Sequence, residues 1–354
     1  MPGFRPFLII LFILVSSCRP AGFDAQAWLP PENPGLLKTL PPNQELAQAT
    51  AVGPGAWDAP EDIAVDGAGR VYAGTLQGRV QRLAEDGKFE VMAEFPGQVL
   101  GLDFDANGNL YVCVDKNGLW RLDPIGHKER VVDSHAGKKL GLLDDVKVGA
   151  DGLVYFTEAS SKYTMRTHLR DILEGVETGR LLRYDPLSKT TTVLLDKLGF
   201  ANGVTVATDA SYVLVAETSR YRIRKYWLAG PEAGRNEVLL DNLPGFPDGL
   251  SRMVDGKIWV AFIAPRNDLL DKLHPKPFMK NILAGLPAGL LPKDKPYGLI
   301  ALMTETGQWL QSLHDPIGQV VPAISSVETQ GEKLWLGSLE GKSLYSITPK
   351  PLSK

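Results

Sequence analysis

Short runs of alternating apolar and polar residues, separated by glycine-bearing turns, recur along the chain every few tens of residues. One phrase repeats within them: a special residue, a small or acidic one, then an apolar strand. It reads Glu61-Asp62-Ile63, Leu100-Gly101-Leu102, Asp144-Asp145-Val146, Asn202-Gly203-Val204, Asp248-Gly249-Leu250 and Ser325-Ser326-Val327. Most copies run into a turn such as Asp66-Gly67, Ala106-Asn107-Gly108 or Ala150-Asp151-Gly152, then an aromatic strand such as Arg70-Val71-Tyr72. Short strands and Gly-rich turns at this period predict an all-β fold, a six-bladed β-propeller whose first strands line a central tunnel.

The blades can be followed by their second and third strands, from Val71-Tyr72-Ala73-Gly74 and Gly78 to Leu83 in blade one to Lys333 to Gly337 and Ser343 to Ile347 in blade six. The stretch Gln44 to Val52 precedes blade one and is expected to give the last blade its outer strand, closing the ring. Two insertions break the rhythm. Lys162 to Glu177 predicts a short helix in blade three. Pro265 to Pro296, in blade five, spaces Leu269, Leu270, Leu273, Phe278, Ile282 and Leu283 mostly as a helix does, with lysines between them. This second insertion is expected to pack as a lid on the propeller face, with a surface that also shapes a hydrophobic pocket or rests on lipid headgroups.

Composition and charge narrow the picture. With 354 residues, 44% of them apolar, and a net charge of −3, nothing suggests nucleic acid as a partner. Arg5 followed by the apolar run Phe7 to Val15 reads as a signal peptide over residues 1–18, and Leu14-Val15-Ser16-Ser17-Cys18 as a lipobox-like end with Cys18 lipidated; an uncleaved signal anchor is the alternative. Residues 19–43, rich in Pro, Ala and Gly, read as a tether, and residues 44–349 as the propeller. Attachment to a membrane by a lipid anchor or signal anchor follows, with the globular part at the periplasmic face of a bacterial membrane. Cys113, within a strand, is expected to be a buried, inert thiol.

Chemistry enters through position. Asn-Gly and Asp-Gly are common turn dipeptides and carry little by themselves. Here, however, Glu61, Asp144, Asn202 and Asp248 fall at equivalent points of their repeats, while blades two and six carry Leu100 and Ser325. Three carboxylates and an amide around one axis suit Ca²⁺, and not Zn²⁺, which favours His or Cys. Without a cation, such carboxylates would repel and hold their protons more tightly. Asp145, next in sequence, is the candidate general base, or else a group that orients a ligand. No Gly-x-Ser-x-Gly elbow supports a serine triad, and His314 is expected to be a turn histidine.

The motifs Pro60 to Ala64, Tyr155-Phe156-Thr157 with Ser160-Ser161-Lys162, Gly179 to Pro186, Asn202-Gly203-Val204, Val215 to Thr218, Leu243-Pro244-Gly245 with Pro247-Asp248, and Leu336 to Leu339 resemble the strictosidine synthase-like family. The resemblance runs over residues 45–348. It implies a six-bladed propeller with a central calcium site, as in the wider group of gluconolactonases, regucalcin and paraoxonases, and it places the calcium ligands on Glu61, Asp144, Asn202 and Asp248. Relatives usually carry Asn at the position of Asp144. Paraoxonases carry histidine where this chain has Leu100, and the catalytic glutamate of strictosidine synthases aligns with Ser325. The expected function is a Ca²⁺-dependent hydrolase of esters or lactones, arylesterase- or lactonase-like, acting on a small hydrophobic substrate. The alternatives are a non-catalytic propeller that binds a partner or lipid around a structural calcium, and strictosidine synthase-type condensation.

Overall fold

Along Val154–Ser160, a strand of blade three, Val154 and Phe156 pack with Tyr111 and Cys113 of blade two, whereas Tyr155 between them packs with Val204 and Val213 of blade four. The two-residue period of a strand therefore serves two neighbours at once, because both faces of each sheet are covered. Six such slabs of side chains, one at each junction between blades, make up the core of the ring. The computed structural model describes residues 20–53, 55, 57–286 and 295–352.

The six blades are four-stranded antiparallel sheets. Their innermost strands are Ile63–Val65, Val99–Phe104, Leu142–Val148, Ala201–Val206, Gly245–Leu250 and Ile324–Gln330. Blade six takes its outer strand from the other end of the propeller: Thr50–Val52 pairs with Leu344–Ile347, Thr50 opposite Ser346 and Val52 opposite Leu344. Ring closure thus follows the expected route. At the far ends of several inner strands an aspartate ties the turn. Asp66 and Asp151 accept backbone N–H groups across it and also receive the hydroxyls of Tyr72 (3.2 Å) and Tyr155 (2.7 Å), which accounts for the aromatic residue after the turn.

Helices α1 (Leu36–Thr39), α2 (His168–Glu174), α3 (Asp268–Leu273) and α4 (Pro277–Ala284) lie outside the blades. Helix α2 belongs to the blade-three insertion and ends on Gly175, whose φ of 75° permits the left-handed turn. Asn267 caps α3 by accepting from Leu269 and Leu270, and Pro277 starts α4 where its missing N–H costs nothing. Both insertions join the second and third strands of their blades, so they emerge on the face where the innermost strands begin. Among the described residues no helix is long and apolar enough to cross a membrane.

The segment expected as a tether is bound along its length. Phe23 is buried with Tyr163, Leu173 and Ala284, between α2 and α4. Gln26 N–H donates to Glu174 O (2.8 Å) and Trp28 N–H to His274 O (3.1 Å), while the Arg220 guanidinium lies 4.6 Å from the Trp28 ring. Leu40 is buried in the slab between blades four and five. A Pro- and Ala-rich composition disfavours regular structure, but three spaced apolar anchors suffice to hold an extended strap against the insertions. Cys113 is fully buried and burial pushes its thiol up, as an inert cysteine requires. His314 sits in the strand Trp309–Asp315, not in a turn; its ring is satisfied by Tyr297 Oη and Ser312 Oγ, both at 3.0 Å.

Candidate metal centre at the propeller axis

Five of the six innermost strands contain an irregularity at the repeated dipeptide; in blade one Glu61 and Asp62 precede the strand, and the pairing from Ile63 to Val65 is regular. Between the pairs Leu143–Glu158 and Val146–Phe156 the inner strand advances one residue more than its partner, and the same slip occurs at Leu100-Gly101, Asn202-Gly203, Asp248-Gly249 and Ser325-Ser326. These are β-bulges, which re-aim a side chain and bend the strand. In this propeller they turn the first residue of the dipeptide to the axis. They also create a crowded spot. A Cβ on Gly203 would lie 2.3 Å from Asp248 O, one on Gly249 2.5 Å from Ser325 O, and one on Gly101 2.5 Å from Asp145 Cα. Glycine is required there because the next blade's backbone passes so close.

Glu61, Asp144, Asn202 and Asp248 are all buried in the ring that results. Burial and then the neighbouring carboxylates Asp144 and Asp248 push Glu61 well above the usual carboxylate range. Asp144 is raised well above it too, by burial and then by Asp248 and Asp145. Burial raises Asp248 in the same way, although the Asn202 amide donates to it and opposes the shift. One oxygen of Asp248, Oδ1, is buried with no hydrogen-bond partner. Among the described residues no three His, Cys, Asp or Glu side chains stand at the spacing of a closed metal cage. The donor set is nonetheless all oxygen, rich in negative charge and short of hydrogen-bond donors, which fits a hard divalent cation.

Asp145 does not fit the role of general base. Its Oδ1 accepts Val146 N–H (2.7 Å) and the Lys147 ammonium (3.1 Å), and its Oδ2 accepts Val204 N–H of the next blade (2.8 Å). It clasps blade three to blade four. Asp62 does the same to Leu102 N–H (2.8 Å) and Asp103 to Val148 N–H (2.7 Å). Hydroxyls complete other junctions: Thr157 donates to Asn202 O, Thr218 to Pro247 O and Ser325 to Glu61 O. Ser325 is thus a structural hydroxyl at the position of the synthase glutamate.

Leu100, at the ring position of blade two, forms an apolar collar with Leu142, Ala159 and Phe200 and with Met165 and Ile172 from the blade-three insertion; Leu142 and Phe200 lie two residues before Asp144 and Asn202. Asp115 sits beside it in the loop between the second and third strands of blade two. Its Oδ2 accepts Met165 N–H (3.2 Å), its Oδ1 is buried without a partner, and burial raises its carboxyl. Asp115 carried no signal in the sequence, because its meaning depends on the insertion folding over it. Two surface clefts, about 800 Å³ and about 430 Å³, flank the strap. They carry no chemistry comparable to that of the four oxygen side chains. Asp268 in the first is bonded to Asn33, and Glu177 in the second is paired with Arg220.

Against this geometry the comparisons with known proteins are informative. Residues 144–231 match the family model described as strictosidine synthase, and residues 40–83 match strictosidine synthase-like, N-terminal. The chain is 34% identical to adipocyte plasma membrane-associated protein of Rattus norvegicus, over 97% of this chain and 96% of that one. The chain belongs to the strictosidine synthase-like family. The Bos taurus adipocyte plasma membrane-associated protein is 35% identical over 97% of this chain and 87% of its own length. An Arabidopsis thaliana relative, strictosidine synthase-like 13, is 36% identical over 73% of this chain and 62% of its own length. Among solved structures, a gluconolactonase from Xanthomonas campestris covers 95% of this chain and 99% of its own at 19% identity, with a TM-score of 0.60. The calcium-binding protein regucalcin from Agrobacterium tumefaciens covers 84% and 92% at 12% identity, with a TM-score of 0.58. At such identities the likeness establishes the propeller fold alone.

Mammalian relatives spanning almost the whole chain overturn the expectation of a lipoprotein at the periplasmic face of a bacterial membrane. Cys18 and the apolar run Phe7 to Val15 lie outside the described residues.

Proposed function

We propose that this protein is a calcium-dependent hydrolase of esters or lactones. One observation supports the reading: three mutually repelling buried carboxylates and an amide, with an unpartnered Asp248 oxygen, come from inner strands that also carry an apolar collar. Glu61, Asp144, Asn202 and Asp248 would hold the Ca²⁺, which when bound polarises a carbonyl oxygen. Leu100 and Phe200 exclude water around a small hydrophobic acyl or lactone ring. Asp115, with a free oxygen at the edge of the collar and a raised pKa, takes a proton from the attacking water in place of Asp145. The fold likeness to a gluconolactonase and to a calcium-binding protein is consistent with this chemistry. Membrane attachment through the apolar run near the N-terminus belongs to the same proposal, and the relatives' name, plasma membrane-associated, supports it.

Hydrolysis of phenyl acetate and a panel of lactones, with EDTA and after calcium is restored, tests the reading. Turnover that EDTA abolishes and calcium restores is expected, with Asp115→Asn slow at unchanged calcium affinity. No turnover with calcium present removes it. A second reading keeps the metal as a structural pin in a non-catalytic propeller, and the full engagement of Asp145 favours it. Loss of thermal stability on chelation, without hydrolysis of any ester or lactone, selects that reading. Condensation of an amine with an aldehyde has no carboxylate to carry it at Ser325.

A further inference from the structure

The bulges have a second effect on the tunnel. Because each adds one residue, the side chain that next returns to the axis is three positions on, not two. The five bulged strands therefore present a second level beyond the first: Asp103, Lys147, Thr205, Ser251 and Glu328, all buried, while Ala64 of blade one packs in the slab between blades one and two. Asp62 and Asp145, which clasp the blades, follow first-ring residues in sequence and reach Lys147 of the second level. The upper level holds Glu61, Asp144 and Asp248, and among the described residues no basic side chain offsets their charge. The lower holds Asp62, Asp145, Asp103 and Glu328 around Lys147, and Arg252 pairs with Asp103 at the far end.

Lys147 is the centre of this lower level. Its Nζ is 3.1 Å from Asp145 Oδ1 and 3.9 Å from Asp62 Oδ2, and its side chain is 4% exposed. Taking an ammonium out of water costs several kcal/mol, which only close carboxylates can offset. Burial pulls the Lys147 pKa down, but Asp145, Asp62, Asp103 and Glu328 together overcome it and hold the lysine charged. Thr205 Oγ1, in the same ring, is buried with no partner. The lower level thus has the oxygens of a cation site and a covalently attached cation within it.

We infer that Lys147 acts as a built-in counter-ion that fills the lower level of the tunnel, so that the protein takes up one divalent cation, at the upper ring, and not two. This rests on the calcium reading of the upper ring and adds what sets the number and place of the ions. Lys147 is a positioning residue: it acts on the metal through Asp62 and Asp145, whose backbones continue into the upper ring.

The experiment is calcium titration of the full chain by calorimetry, with thermal melting in EDTA and in millimolar calcium, for wild type, Lys147→Met and Lys147→Arg. Wild type is expected to bind one calcium. Lys147→Met should bind two, melt lower than wild type in EDTA, and recover most of the difference in calcium. Lys147→Arg, which keeps the charge, should bind one. Two ions in the wild type, or one in both wild type and Lys147→Met with no selective rescue, overturns the inference and leaves the calcium reading intact. No calcium in the wild type overturns the calcium reading instead. In that case the inference, which rests on that reading, falls with it.

Discussion

The carboxylate of Asp145 receives the backbone N–H of Val204, a residue of the next blade, at 2.8 Å, while its other oxygen holds Lys147 at 3.1 Å. One side chain therefore joins two sheets and neutralises a buried ammonium. Removing one member of a buried pair leaves the other uncompensated, at a cost of about 3–5 kcal/mol. Asp145→Ala should lower the urea midpoint accordingly, and Asp145→Asn, which keeps an acceptor for Val204, should lower it less. A large loss of turnover at unchanged stability would return Asp145 to the chemistry.

The upper ring predicts a metal dependence that can be read without any substrate. Asp248→Ala and Asn202→Ala should each weaken calcium binding by tenfold or more, about 1.4 kcal/mol, in a calorimetric titration. In the wild type, calcium should raise the melting temperature, because a ligand of the native state stabilises it by mass action. Unchanged affinity in both variants would disprove the ligand assignment.

Glycine at the bulge is a steric requirement. A methyl group on Gly203 would meet Asp248 O at 2.3 Å, and this atom belongs to backbone that cannot swing aside. Gly203→Ala should cost about 1–3 kcal/mol, as overpacking does. Gly87→Ala also meets strain, since φ there is 77°, but has open space around it. Comparing their denaturation curves separates the two effects; no loss in Gly203→Ala would mean that blade-to-blade crowding contributes nothing.

His274 gives the insertions over the propeller a pH dependence. Its ring is fully buried, neither nitrogen has a partner, and its edge packs on Trp28 at 4.8 Å between centroids. Burial, then the charges of Lys280, Arg220 and Arg266, pull its pKa down to about 3. The folded state thus binds this proton less readily than the unfolded chain, whose histidine titrates near 6.5. The contribution is complete above about pH 6.5 and declines as pH falls towards 3, by about 2 kcal/mol between pH 7 and pH 5. Asp171, raised by burial to about 7, has the opposite sign, losing its contribution as pH rises towards 7. The stability of wild type relative to His274→Gln isolates the histidine. That difference should shrink on acidification; a flat difference would contradict the burial of this ring.

The blade starts were legible in the sequence because Asn-Gly and Asp-Gly recur at equivalent points, and the ring closure because an unassigned strand preceded blade one. Which way each acid points was not legible. Asp144 and Asp145 are neighbours, yet one faces the axis and the other clasps a blade, and only the extra residue of the bulge decides between them. The same missing information concealed Lys147, since strict alternation would have sent position 146 to the axis. Asp115 and Phe200 gain meaning from insertions whose packing is set far along the chain. The strap was misread because composition reports what a segment cannot do alone, not what Phe23, Trp28 and Leu40 find when a surface is present.

The pairing of Thr50–Val52 with Leu344–Ile347 also bears on how the protein is made. A ribosome releases the N-terminal partner of this seam long before the C-terminal one. Until residue 347 has emerged, the sixth sheet lacks its mates, Glu61 has no finished circle to face, and every earlier sheet waits on an open arc. Completion of the tunnel therefore waits on the joining of two strands from opposite ends of the propeller.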